Sequence, residues 1–210
     1  MPYSQEDQQW IKSQMQAEHI GQEILIYDAV DSTNDIAKRM VGESDKEGTV
    51  ILANSQTQGK GRLGRTWHSE GNVGVYLSVL LKTSLPPEQI SKIALVAGVA
   101  LVQAINEFSQ ARAYLKWPND VLLNGKKVAG ILTEFCKKKA HSEVILGIGI
   151  NVNHAHFPVF LQHIATSMAM ENGETFERLP LISSLLNHLD QEYQSFLNAG
   201  ISPTVDQWNL

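Results

Sequence analysis

The chain has 210 residues, enough for one substantial core with a small appendage. Hydrophobic residues make up 43% and charged residues 19%, a globular balance that excludes a disordered chain. The 17 Lys and Arg against 22 Asp and Glu leave a net charge of -5, which argues against a nonspecific nucleic-acid coat, and the single cysteine, Cys136, excludes an internal disulfide or a thiolate metal cluster.

The opening MPYSQEDQQW lacks a basic segment followed by an apolar run, so it does not read as a signal peptide. The longest apolar stretch, Ile93 to Ile105, is too short to cross a membrane and reads as a packed helix. A cytoplasmic, reducing location with no membrane contact is the expectation.

Taken in order, Ser4 to Glu18 is expected to form a short polar helix and Glu23 to Tyr27 a strand. Ser32 or Thr33 should cap a helix reaching Met40, its hydroxyl satisfying free backbone N–H groups. Thr49 to Ala53 has the character of a buried strand. Asn54 to Asn72, rich in glycine and polar residues, reads as one long loop before strand character returns at Val73 to Leu81. Pro86 and Pro87 precede a helix predicted to run to Phe108, with Ile90, Ile93, Ala97 and Leu101 on one face. Tyr114 to Lys116 and Val121 to Leu123 are short strands around a Trp-Pro-Asn-Asp segment. Asn124-Gly125 is a two-residue hairpin signal. Val128 to Phe135 and Val144 to Ile150 extend the sheet, and Leu179, Ile182, Leu186, Leu189, Tyr193 and Phe196 mark a last helix. This irregular alternation predicts an α+β fold, a mixed and largely antiparallel sheet backed by helices.

Four segments carry candidate chemistry. In Gly59-Lys60-Gly61-Arg62-Leu63-Gly64-Arg65-Thr66-Trp67, glycines permit sharp turns beside three cations, a combination suited to phosphate, with Trp67 available to stack on a planar ring. The alternative is a solvated basic loop. In Lys116-Trp117-Pro118-Asn119-Asp120, Pro118 restricts its neighbour, while Asn119 and Asp120 offer polar contacts to a ligand, an amine or a metal; a plain turn is the other reading. Lys127-Val128-Ala129-Gly130-Ile131-Leu132 sets a lysine before small residues and an apolar strand, able either to neutralise an anion or to sit on the surface. Gly147-Ile148-Gly149-Ile150-Asn151-Val152-Asn153 places two glycines in a strand, for a ligand's approach or for tight packing. The histidines show no zinc spacing, so no resident metal is expected. The lysines after Cys136 would lower its pKa if it were exposed, but with no His or Asn paired to it a structural or incidental cysteine is the expectation.

These segments, with Asp31-Ser32-Thr33-Asn34 and Gln56, occur in an order that resembles the biotin protein ligase family over residues 22 to 208. The resemblance implies an enzyme that joins biotin to ATP, giving biotinyl-adenylate and pyrophosphate, then passes biotin to a lysine of the biotin carboxyl carrier protein of acetyl-CoA carboxylase with release of AMP. It implies that Ser32, Thr33, Asn34 and Gln56 hold biotin and that Gly59, Lys60, Gly61 and Arg62 wrap the ligand. Arg65 and Trp67 would meet the phosphate and adenylate, Asn119 and Asp120 the nucleotide or Mg2+, and Lys127 would bridge the biotin carboxylate and α-phosphate. Gly130, Gly147 and Gly149 would admit the ligand closely. Lys127, Arg62 and Asp120 are the catalytic candidates, Asp120 as proton acceptor or orienter. Lys60 departs from a family arginine and Leu63 from an occasional basic residue. Residues 1–21 read as a helical extension and 22–210 as the catalytic domain, with neither an N-terminal DNA-binding domain nor a C-terminal small β-barrel; a monofunctional enzyme without DNA binding, and possible as a homodimer, is expected. Lipoate or octanoate ligation and a catalytically weak binding module are the competing readings.

Overall fold

The computed structural model describes residues 1–43, 47–82, 85–138 and 141–208. Lys139 of the lysine run after Cys136 and the terminal Leu210 lie outside the described residues. Seven strands form one sheet: β1 (Ile24–Val30), β2 (Thr49–Gln56), β3 (Gly74–Lys82), β4 (Ala113–Lys116), β5 (Asp120–Leu123), β6 (Lys126–Lys138) and β7 (His141–Asn151). Their spatial order is β1-β2-β3-β7-β6-β5-β4. Only β1 and β2 run parallel; every other pair is antiparallel. The expected mixed, largely antiparallel sheet is the one observed.

Side chains alternate across each strand, and the two faces of the sheet differ. Val75, Leu77, Val79 and Leu81 of β3 and Val144, Leu146, Ile148 and Ile150 of β7 join the main core. That core is closed by helices α4 (Ile93–Phe108) and α6 (Arg178–Ala199), with Ile11 of α1 (Gln5–Gln14) at its edge. The opposite face is only partly covered. There α2 (Thr33–Met40) sets Ala37 and Val41 on Ile51, Leu80 and Ile145 in a second, smaller cluster. Beside α2 part of that face is low: Ser78 is registered with Gly147 and Gly149 with Gly130, flanked by Tyr76 of β3 and Leu132 of β6. A small-residue floor is thereby left open beside α2.

Several boundaries differ from the sequence expectation for physical reasons. The helix expected from Pro87 to Phe108 is two helices, α3 (Pro87–Ile90) and α4, because Lys92 N–H bonds Gln89 O in a tight turn between them. The loop expected from Asn54 begins three residues later. Ala29 and Val30 pair with Ser55 and Gln56, and Asn54 donates to Asp28 Oδ1 at 3.1 Å. Ser32 stands at the N-cap of α2, yet its side chain makes no capping bond; its carbonyl accepts from Asp35 and Ile36 N–H instead. The first helix ends at Gln14 rather than Glu18, since residues 16–20 are held on α6. Asn187 Oδ1 accepts the Gln16 and Ala17 N–H groups, and Asp190 accepts those of Glu18, His19 and Ile20. Two short helices, α5 (Met168–Asn172) and α7 (Ser202–Trp208), gave no signal in the sequence. Asn124 and Gly125 adopt φ of 49° and 82°, as the two-residue hairpin between β5 and β6 requires.

Candidate functional site

Above the small-residue floor lies a narrow cleft with a volume of about 40 Å³. Ser32, Thr33 and Asn34 enter it from the start of α2, and Gln56 from the end of β2. Lys127, Gly130, Gly147 and Gly149 line it from β6 and β7. Lys60, Gly61, Arg62 and Trp67 close it from the glycine-rich loop, and Asn119 from the turn between β4 and β5. The sequence segments, scattered over more than a hundred residues, therefore converge on one place. Gly59, Arg65 and Asp120 do not line the cleft: Gly59 forms the neck of the loop, Arg65 is exposed, and Asp120 stands behind Lys127.

The loop is a narrow hairpin. Gly61 N–H bonds Arg65 O and Trp67 N–H bonds Gly59 O, with a one-residue bridge between Lys60 and Thr66. At its tip Leu63 and Gly64 take left-handed φ of 57° and 74°. At its neck, a Cβ on Gly59 would lie 2.5 Å from Trp67 O, so the close crossing of the two arms needs glycine. Arg62 donates to Asn119 Oδ1 at 2.8 Å, and Asn119 is itself fixed on β6 by bonds in both directions with the Ile131 backbone. The loop is thus latched to the far side of the cleft by a charge-assisted bond. Lys60 turns outward to Asp35.

Lys127 Nζ lies 2.6 Å from Asp120 Oδ1 and 5.2 Å from the centre of the Trp67 ring. The ion pair is too bent to count as a hydrogen bond, so an incoming anion competes with only one partner for the ammonium. Trp67 itself lies over Gly130 and Gly149: a Cβ on Gly149 would meet its ring at 2.4 Å. Its Nε1 is buried without a hydrogen-bond partner. A Cβ on Gly147 would collide with the Asn34 amide at 2.3 Å. The close approaches over these three glycines are made here by the chain's own side chains.

Other titratable groups are set apart from the cleft. Burial pushes the Cys136 thiol up, against the lowering from Lys38. His154 is pulled down to about 4, chiefly by burial and then by His68 and His156; it stacks on Phe157 and meets Tyr76 Oη at 3.2 Å. Ile131, Leu132 and Ile148 of the candidate segments also line the cleft, and Leu77 lines it without having been singled out in the sequence. Ser78 and Glu134, just behind it, were missed as well. Ser78 had a signal, being the one small hydroxyl residue in a strand of mostly large apolar residues; Glu134 had none.

The model of the biotin/lipoate A/B protein ligase family matches residues 26–151, and the chain belongs to that family. It is 37% identical over 201 residues to the bifunctional ligase/repressor BirA of Bacillus subtilis, a match covering 94% of this chain and 62% of that protein. Among solved structures it is similar to the biotin protein ligase of Aquifex aeolicus in complex with biotin and ATP, with a TM-score of 0.78, 30% identity, and coverage of 89% of this chain and 77% of that one. The Leishmania major biotin protein ligase with biotinyl-adenylate bound gives a TM-score of 0.74 at 25% identity, covering 90% and 80%. The chain thus spans less than two thirds of the length of the Bacillus protein.

Proposed function

We propose that residues 22–210 are the catalytic unit of a biotin protein ligase, which forms biotinyl-adenylate and pyrophosphate from biotin and ATP and then transfers biotin to a lysine of a carboxyl carrier protein such as that of acetyl-CoA carboxylase. The observation that carries this reading is the convergence of Lys127 and the Arg62 loop on a glycine-floored cleft that also holds Thr33 and Gln56. The relatives' bound biotin, ATP and biotinyl-adenylate support the same substrates.

The first step joins two anions, so cations must offset their repulsion. In this reading Lys127 leaves Asp120 to sit between the biotin carboxylate and the α-phosphate, and Arg62 adds charge from above. The carboxylate oxygen bonds to the α-phosphorus as the bond to pyrophosphate breaks. The acceptor lysine amine then attacks the mixed anhydride, AMP leaves, and Asp120, freed from Lys127, takes or orients the amine proton. Trp67 moves off the glycine floor to flank the adenylate, which also excludes water from the reactive anhydride. Among the described residues no three His, Cys, Asp or Glu side chains group as a metal site. A resident metal does not fit them; Mg2+ belongs to this reading as the partner of the ATP phosphates, and no step is derived through it.

The test is ATP–pyrophosphate exchange with biotin, lipoate and octanoate compared. Exchange with biotin alone is expected. Exchange with lipoate or octanoate instead would shift the assignment to the other branch of the family, and ligand binding without exchange would make the chain a binding module.

A further inference from the structure

Behind the cleft, polar side chains form a continuous row. Lys38 donates to Glu134 Oε1 at 2.7 Å, and Asn34 Nδ2 donates to Glu134 Oε2 at 2.7 Å. Asn34 Oδ1 lies 2.5 Å from Ser78 Oγ, and Ser78 Oγ lies 2.7 Å from Thr33 Oγ1. Thr33 Oγ1 is 3.2 Å from Gln56 Oε1, which already accepts the Thr33 N–H at 2.9 Å. Gln56 Nε2 donates to Ser69 Oγ at 2.8 Å, fixing the other end of that amide. Thr33, Asn34 and Ser78 are at most 3% exposed, so each proton in the row has to be placed within it.

The direction of the row is decided at its Glu134 end. Glu134 is ion-paired with the Lys38 ammonium at 2.7 Å, and an ionised carboxylate only accepts. Asn34 must therefore turn its NH2 toward Glu134, which leaves its Oδ1 facing Ser78. The single hydroxyl proton of Ser78 goes to that oxygen, at the shorter of its two contacts. Ser78 then has none for Thr33, so the Thr33 proton closes the 2.7 Å gap. Thr33 Oγ1 and Gln56 Oε1 are left 3.2 Å apart with no proton between them. Both residues line the cleft, and together they form a paired acceptor for one N–H. The cyclic urea of biotin carries N–H groups of this kind.

We infer that Glu134, which does not itself line the cleft, is a positioning residue that sets the proton direction through Asn34 and Ser78, so that Thr33 and Gln56 receive a ring N–H instead of directing a proton at it. The urea part rests on the biotin reading; the proton direction does not. Glu134→Gln should reverse the row. Its oxygen would stay with Lys38, its NH2 would face Asn34, Asn34 would flip, and Ser78 would donate to Thr33, whose proton would then fill the gap to Gln56.

Two measurements test this. In ligand-free protein, nuclear Overhauser contacts from the Asn34 amide protons should run to the Glu134 γ protons in the wild type and to the Ser78 β protons in Glu134→Gln; contacts to Ser78 in the wild type would overturn the inference whatever the cleft binds. Calorimetry with biotin on the wild type, Glu134→Gln, Thr33→Val and the double variant gives the coupling. Each single change should weaken binding about tenfold, the scale of one hydrogen bond, and the double variant should bind as Thr33→Val does, with ATP affinity unchanged throughout. Losses that multiply to about a hundredfold would mean that the two residues act independently and would overturn it. Ser78→Ala, which cuts the row at its middle, should couple to Thr33→Val in the same way and serves if Glu134→Gln does not fold. Wild-type protein that keeps the Glu134 contacts yet binds no biotin would refute the biotin reading and leave the proton direction standing.

Discussion

At the scale of single residues, Lys127 is the side chain on which the proposed chemistry turns. It is a cation at the floor of the cleft, held by one bent ion pair to Asp120 and by the face of Trp67. Lys127→Met keeps the length of the stem and removes the charge. Pyrophosphate exchange should fall by roughly 100-fold or more, the scale of losing one charge-stabilising group at a reacting centre, while the thermal midpoint changes little. His154 makes a separate prediction, about stability. Burial holds its folded pKa at about 4, below the ordinary imidazole value of 6.5, so the unfolded chain binds the extra proton first. Stability that is complete above about pH 6.5 should therefore decline as the pH falls toward 4. Urea titrations at a series of pH values should show this slope, and His154→Phe should flatten it.

The scale of elements explains why the cleft exists. In β3, β6 and β7 most of the large apolar side chains face α4 and α6, while Ser78, Gly130, Gly147 and Gly149 face the other way, beside the Leu80 and Ile145 patch under α2. A strict period of two turns four separate sequence positions into one floor. The α6 helix also braces the N-terminal segment. Asp190, 7% exposed, accepts three successive backbone N–H groups. Asp190→Ala would strand the buried Ile20 donor and should cost about 2–3 kcal/mol in denaturant unfolding, with little change in biotin affinity. An equal loss of both would show that α6 and the cleft are more tightly joined than the contacts indicate.

For the whole molecule, the glycine loop is latched to the sheet chiefly through Arg62 and Asn119, and its tip is exposed. Opening it gives up little buried area, so it should be the segment cut first by protease. Biotin with ATP should slow cleavage within residues 59–67, and Arg62→Ala should remove that protection; an unchanged rate with ligand present would rule out closure. No helix among the described residues is long and apolar enough to cross a membrane.

The sequence by itself determined much of this. Strand periodicity, the Asn124-Gly125 turn and the apolar spacing of α6 are local properties, and they led to the mixed sheet with helices behind it. The cleft-lining residues were legible because glycine, lysine and arginine at close spacing are unusual and have few uses. For Cys136 the neighbouring lysines are visible in the sequence, while the burial that raises its pKa is not. The break after Ile90 was equally hidden, since apolar spacing continues across it. Only the tertiary structure decided which side chains meet across long separations. Glu134 and Asn34 are 100 residues apart, and Ser78 and Thr33 are 45 apart. Register between strands and the seating of α2 bring them together, and the direction of a hydrogen bond depends on which partner lies opposite, a fact that no single stretch of chain contains.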